Sequence, residues 1–208
     1  MLGCVMESGA QEPAATPVPS PAPYSVIPTN EAPTTVSLVT VGVFINDIQE
    51  IDLKQGSYQV DFYLWMRWRN PDIDPADTIE LINPFERWGT VTEMLFPQPE
   101  VMPDGSFYQV IRYQGDFAAK LPLHDYPFDE QELTIELEDQ VQSTSTLAYV
   151  LDKDPLTVDH EISVPGYVIG TPTIEVVTDP YLTTFGDVRL AAPEPYSRII
   201  VTIPVSRP

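Results

Sequence analysis

Residues 61–69 read DFYLWMRWR, and their alternation decides what kind of fold the chain can adopt. Successive side chains of a strand point to opposite faces, so Phe62, Leu64, Met66 and Trp68 form one apolar row, which reads as core. Asp61, Tyr63, Trp65 and Arg67 form the other row. That second row is aromatic yet flanked by charge. It suits neither a core face nor an ordinary wet one, and it suggests a surface that meets a subunit or a ligand.

Runs of the same kind lie on either side: TTVSLVTVGVFI before it, then GTVTEMLF, SFYQVIRYQGDF, QELTIELE, TLAYVL, GYVIGTPTIEVV and YSRIIVTIPV. Breakers separate them, among them Asn70-Pro71, Pro103-Asp104-Gly105-Ser106, Asp154-Pro155 and Ala192-Pro193. No stretch keeps a 3.6-residue period for three turns, and residues 75–85 offer one helical turn at most. The expectation is an all-β, immunoglobulin-like twisted β-sandwich of about ten strands over residues 34–208. Prolines recur through residues 12–33, a composition that disfavours both helix and ladder pairing, so residues 1–33 read as a disordered linker.

Of 208 residues, 31 are acidic and 10 basic, a net charge of -21. A phosphate backbone needs a basic face, so nucleic acid is not an expected partner, whereas cations and basic partners suit this field. The only cysteine, Cys4, lies in the tail, which leaves the domain to stand on packing alone. No run approaches the roughly 18 apolar residues of a membrane helix. Leu2-Gly3-Cys4 reads either as the end of a lipoprotein signal or as an ordinary terminus.

Catalysis is not expected. His124 and His160 are the only imidazoles, and no nucleophile elbow, phosphate loop or dinucleotide motif is present. The segment NPDIDPAD brings Asn70, Asp72, Asp74 and Asp77 close together, and Glu136, Glu138 and Asp139 form a second acidic cluster. Both offer the oxygen ligands that Ca²⁺ prefers, with Asp72, Asp74, Glu138 and Asp139 the candidates. Acids that break and solvate a turn are the competing explanation.

The stretch MPDGSFYQVIRYQGDFAAKLPLHDYPFDEQEL, residues 102–133, resembles the extracellular ligand-binding domain of pentameric ligand-gated ion channels, the Cys-loop receptor superfamily, and its bacterial members above all. The marker is Tyr126-Pro127-Phe128-Asp129, followed by Gln131 and Leu133. The two cysteines that bracket this motif in animal receptors are replaced by Ala119 and Leu133, with thirteen residues between them, which fits a prokaryotic branch. Trp68-Arg69-Asn70 resembles the family's W-x-D, with the ligand-facing aromatic five residues earlier at Tyr63. Residues 79–83, IELIN, with Phe85 and Trp88, resemble a further bacterial segment. In the last run, Tyr196 stands eleven residues before Arg207, as a binding-loop tyrosine does before the arginine that precedes the first membrane helix.

The resemblance implies a homopentamer of identical subunits in the cell membrane, with this domain facing the periplasm or the extracellular side and a membrane domain following residue 208. A small-molecule ligand, proton or cation would bind between subunits, beneath a hairpin over residues 179–196. The ligand-binding set it implies is Tyr63, Trp65, Ile82, Phe85, Arg112, Gln140, Tyr181, Phe185 and Tyr196. Asn46, Asp47, Tyr126, Pro127, Phe128, Asp129 and Arg207 would transmit binding to the pore. Gln140 replaces the family's central tryptophan, which removes one aromatic face from an amine site. A soluble pentameric binding protein without a channel, or a sandwich that only adheres, would keep the same fold.

Overall fold

The structure, a computed structural model, describes residues 35–52, 54–119 and 130–208. In chain order the elements are β1 (Ser37–Asp52), β2 (Ser57–Trp68), a short helix α1 (Pro75–Thr78), β3 (Ile79–Leu81), a 3-10 turn (Arg87–Gly89), β4 (Val91–Met94), β5 (Glu100–Val101), β6 (Phe107–Ala118), β7 (Gln131–Asp139), β8 (Leu147–Val158), β9 (Val168–Ile169), β10 (Thr173–Pro180) and β11 (Pro195–Ser206). They make an all-β sandwich of two sheets. One runs β4-β6-β2-β1-β8 with β5 beside β6, and the other runs β10-β11-β7-β3 with β9 beside β11. Among the described residues every pairing is antiparallel except β1 with β8.

The alternation in residues 61–69 carries through. Phe62, Leu64, Met66 and Trp68 are buried between the sheets, while Asp61, Tyr63, Trp65 and Arg67 are only half-covered. Facing rows from β1, β6, β7 and β11 complete the core, including Val41, Val43, Ile111, Phe117, Leu133, Ile135, Ile199 and Val201. Phe62 stacks on Tyr113 at 5.1 Å and meets Phe117 edge-on at 6.0 Å, favourable arrangements for aromatic quadrupoles. Polar ties also cross between the layers. The Tyr58 hydroxyl donates to the Thr134 carbonyl at 2.6 Å, and the Asn83 amide donates to the Ala118 and Thr134 carbonyls at 3.0 and 2.6 Å.

Two sequence expectations need correction. Asp154-Pro155 does not end its strand: β8 continues through it, and the pairing jumps from Val41↔Leu151 to Val43↔Leu156. Because β8 is an edge strand, a bulge can absorb a proline that lacks an N–H. The loop after the first strand, which the resemblance places near residues 46–50 and which holds Asn46 and Asp47, is still strand, broken by bulges at Asn46 and before Asp52, and the chain reverses only at Gly56 with φ of 69°. Tyr126, Pro127, Phe128 and Asp129 lie outside the described residues.

Candidate functional site

The β10–β11 hairpin brings together residues far apart in the chain. Asp179 pairs with Tyr196 in register, so the connecting segment after Pro180 starts beside Tyr196 and overhangs the end of β7. The Tyr181 ring meets Phe185 at 5.2 Å and Tyr196 at 5.5 Å, both edge-on. Phe185 is 70% exposed and holds a positive φ of 54°, followed by Gly186 at 79°, so the tip of the hairpin turns an aromatic ring outward. Below these rings is an open cleft of about 370 Å³, lined also by Glu80, Glu138, Gln140 and Glu194.

Two of the lining residues, Glu138 and Tyr181, belong to one hydrogen-bonded network centred on Arg198. Arg198, directly across from Glu138 in the ladder, donates from Nε to Glu138 Oε2 at 3.0 Å and from Nη2 to Asp179 Oδ2 at 2.6 Å. Its Nη2 also reaches the Tyr181 hydroxyl at 3.0 Å, and its Nη1 reaches Glu136 Oε2 at 3.5 Å. The Tyr181 hydroxyl in turn donates to Glu138 Oε1 at 2.7 Å. Strand alternation alone would leave Glu138 wet, yet it is 3% exposed because the hairpin folds over it. Burial lowers the affinity of Arg198 for its proton, but the hydrogen bond and charge of Glu138 and the charge of Asp179 outweigh it and raise the pKa. Tyr181 is pushed up to about 12 by burial and by its bond to Glu138, and Tyr196 is raised by burial and by Glu194.

Of the residues implied as ligand-binding, Gln140, Tyr181, Phe185 and Tyr196 share this cleft. Tyr63, Trp65 and Arg112 lie on the outer face of the other sheet. There Arg112 donates to both Asp61 oxygens at 3.0 and 2.7 Å and lies 5.4 Å over the Tyr63 ring, which meets Phe44 at 6.2 Å. The Trp65 ring covers Gly42 so closely that a Cβ there would sit 2.0 Å from it, and its indole N–H donates to Asp152 at 3.0 Å. Arg67 joins the same carboxylate at 3.2 Å. The row that looked unpartnered in the sequence is therefore partly covered by its own chain. Ile82 and Phe85 do not line the cleft. The Ile82 amide bonds the Glu136 carbonyl, and Phe85 lines a groove with Arg207 at the far end of β11, ~35 Å from Tyr196 along the strand.

Asn46 donates to Asp61 at 2.8 Å, Asp47 accepts from the Ile48 amide at 2.9 Å, and Arg207 lies 5.8 Å over Tyr167. Ala119, the last described residue before the Tyr126 segment, bonds Gly56, and Gln131 beyond it pairs with Val205. Both flanks of that segment thus meet the β1–β2 turn and the end of β11.

Three of the four acids read as Ca²⁺ ligands are occupied otherwise. Asp74 caps α1 through the Ala76 amide at 3.1 Å, Glu138 is paired with Arg198, and Asp139 accepts from Val141 and Gln142 amides at 2.8 and 2.6 Å and from the Thr78 hydroxyl. Asp72 is exposed and uses its amide on Asn70 at 2.9 Å. Among the described residues no three acid, histidine or cysteine side chains are grouped as a metal ion would need.

The sequence reading missed Arg198, Asp179, Asp61 and Asp152. A signal for the first was present: Arg198 is a lone base in the alternating strand YSRIIVTIPV, two residues after Tyr196 and on its face. Compared with known proteins, the chain matches no family model and no curated sequence.

Proposed function

We propose that this chain is the ligand-binding extracellular domain of a bacterial-type pentameric ligand-gated ion channel. It binds a small cationic ligand, or a proton, between identical subunits to gate a membrane pore. The observation that carries this reading is that the site is split. Tyr181, Phe185 and Tyr196 open outward from one sheet, while Tyr63 and Arg112 lie on the outer face of the other. Those faces point apart, so one chain cannot close the cleft, whereas a ring of copies sets the hairpin of each against the Tyr63 face of the next. Aromatic faces above carboxylates favour a positive ligand. Arg198 ties the hairpin to β7, so a cation drawn to Glu138 competes with it and loosens or tightens the hairpin. Such a ligand biases gating by its differential affinity for the two hairpin positions.

Residues at the opposite end fit a transmitting role. The β1–β2 turn, the flanks of the Tyr126 segment and Arg207 all gather there. A second reading, a sandwich that adheres without assembling, is favoured by the packing of Trp65 and Arg67 on Asp152 within one chain. Light scattering of the purified chain, with and without millimolar Ca²⁺, separates the two. A five-fold mass is the expected result, and a monomer at every concentration would favour the second reading.

A further inference from the structure

At one edge of the sandwich the two sheets part, because the strands there are short: β3 has three residues and β4 four. No ladder joins them. The gap is an open pocket of about 300 Å³, lined by Ile79 and Leu81 from β3, the exposed Thr92 and Met94 from β4, Pro84, and Tyr113 from β6. Ligand pockets begin at about this size and are typically apolar with a few placed polar groups. Here the placed group is the Tyr113 hydroxyl. Its ring is held by the stack on Phe62, its side chain is 3% exposed, and it makes no hydrogen bond among the described residues. A phenol that lines a pocket without a protein partner leaves its donor for water or an occupant, because polar groups shielded from solvent are almost always hydrogen-bonded.

The occupant's chemistry follows from the surroundings. Burial pushes the Tyr113 hydroxyl well above its usual range, so it stays protonated and offers a donor. Asp77 and Glu80 at the rim make the approach negative, and Arg87 is already committed to Glu80 at 3.5 Å. An anion is therefore disfavoured. We propose that the gap between β3 and β4 is a binding pocket for a small neutral molecule with an apolar body and one acceptor oxygen, which takes the Tyr113 hydroxyl. This pocket lies inside one chain and does not rest on the channel reading.

The test is an NMR titration of the full chain with cyclohexanone, read at the methyl groups of Ile79 and Leu81, beside methylenecyclohexane, which has the same shape without the acceptor. Saturable shifts with cyclohexanone are expected, with weaker binding of methylenecyclohexane. Tyr113→Phe should weaken cyclohexanone about five- to tenfold, the loss of one hydrogen bond, and leave methylenecyclohexane unchanged. Thr92→Trp, a change on the exposed strand β4 that plugs the mouth, should abolish both and keeps the test decisive if Tyr113→Phe fails to fold. No saturable shift at Ile79 and Leu81, or wild-type affinity in either variant, would overturn the proposal.

Discussion

Arg198 and Arg112 each hold a carboxylate opposite an aromatic ring, one on each sheet, and they differ in how far water reaches them. The side chains of Arg198 and Glu138 are 13% and 4% exposed, under a hairpin that closes over them. Arg112 and Asp61 are 32% and 13% exposed on an open face. An ion pair cut off from water leaves an uncompensated charge when one partner is lost, whereas a half-wet pair lets solvent take over. The first cluster therefore anchors the fold of its own hairpin, and the second can be rearranged at lower cost.

The largest effect that sharpens this contrast is expected for Arg198→Met. Leaving Glu138 buried without its partner should cost about 3–5 kcal/mol in urea denaturation. The double change with Glu138→Gln should recover part of it; a single-variant loss below 1 kcal/mol would mean that the hairpin stands open in solution. Gly42→Val comes next. Its side chain would displace the Trp65 ring, with a cost of about 1–3 kcal/mol and a red shift in tryptophan emission as the bond to Asp152 breaks. Unchanged emission would show that Trp65 does not lie on Gly42. Asp61→Asn should cost less, about 1–2 kcal/mol, since solvent screens the remaining Arg112. The exposed pair Arg69–Asp104, at 2.8 Å, should be removable with no shift in the melting midpoint.

Stability against pH reads the same burial. Burial acts to raise Asp61, but bonds from Arg112, Asn46 and Gln114 outweigh it, and the Trp65 bond lowers Asp152. Both fall below the ordinary value of 3.8, so their contribution is present above that pH and is lost as pH falls through the lower folded values. Tyr58, Tyr113 and Tyr149 are raised above 10.0 by burial, so theirs is whole below pH 10.0 and is lost as pH rises beyond it. A spectroscopic titration should show these three ionising only together with unfolding. Separate, reversible ionisation of any of them near pH 10 would contradict their burial.

Much of the fold was legible because strand alternation is a local signal. The row Phe62, Leu64, Met66 and Trp68 announces its burial in the sequence itself, and most of the β-rich runs are strands. What was not legible depends on contacts between distant segments. Pro155 looks like a stop until β8 proves to be an edge strand, and Glu138 looks solvent-exposed until the hairpin forty residues later covers it. The candidate site was half legible for the same reason. Tyr181, Phe185 and Tyr196 are aromatic residues bracketing one turn, whereas Ile82 and Phe85 were placed by their neighbours in sequence and lie elsewhere in space.

The most direct test of the split site is cross-linking between copies. In a Cys4→Ser background, Phe185→Cys on the hairpin tip and Tyr63→Cys on the opposite sheet supply one thiol on each face, to be joined by a short bis-maleimide. The split site calls for a ladder of covalent species that ends at five chains and needs both cysteines. Monomers alone, or a ladder that persists with only one of the two, would contradict it.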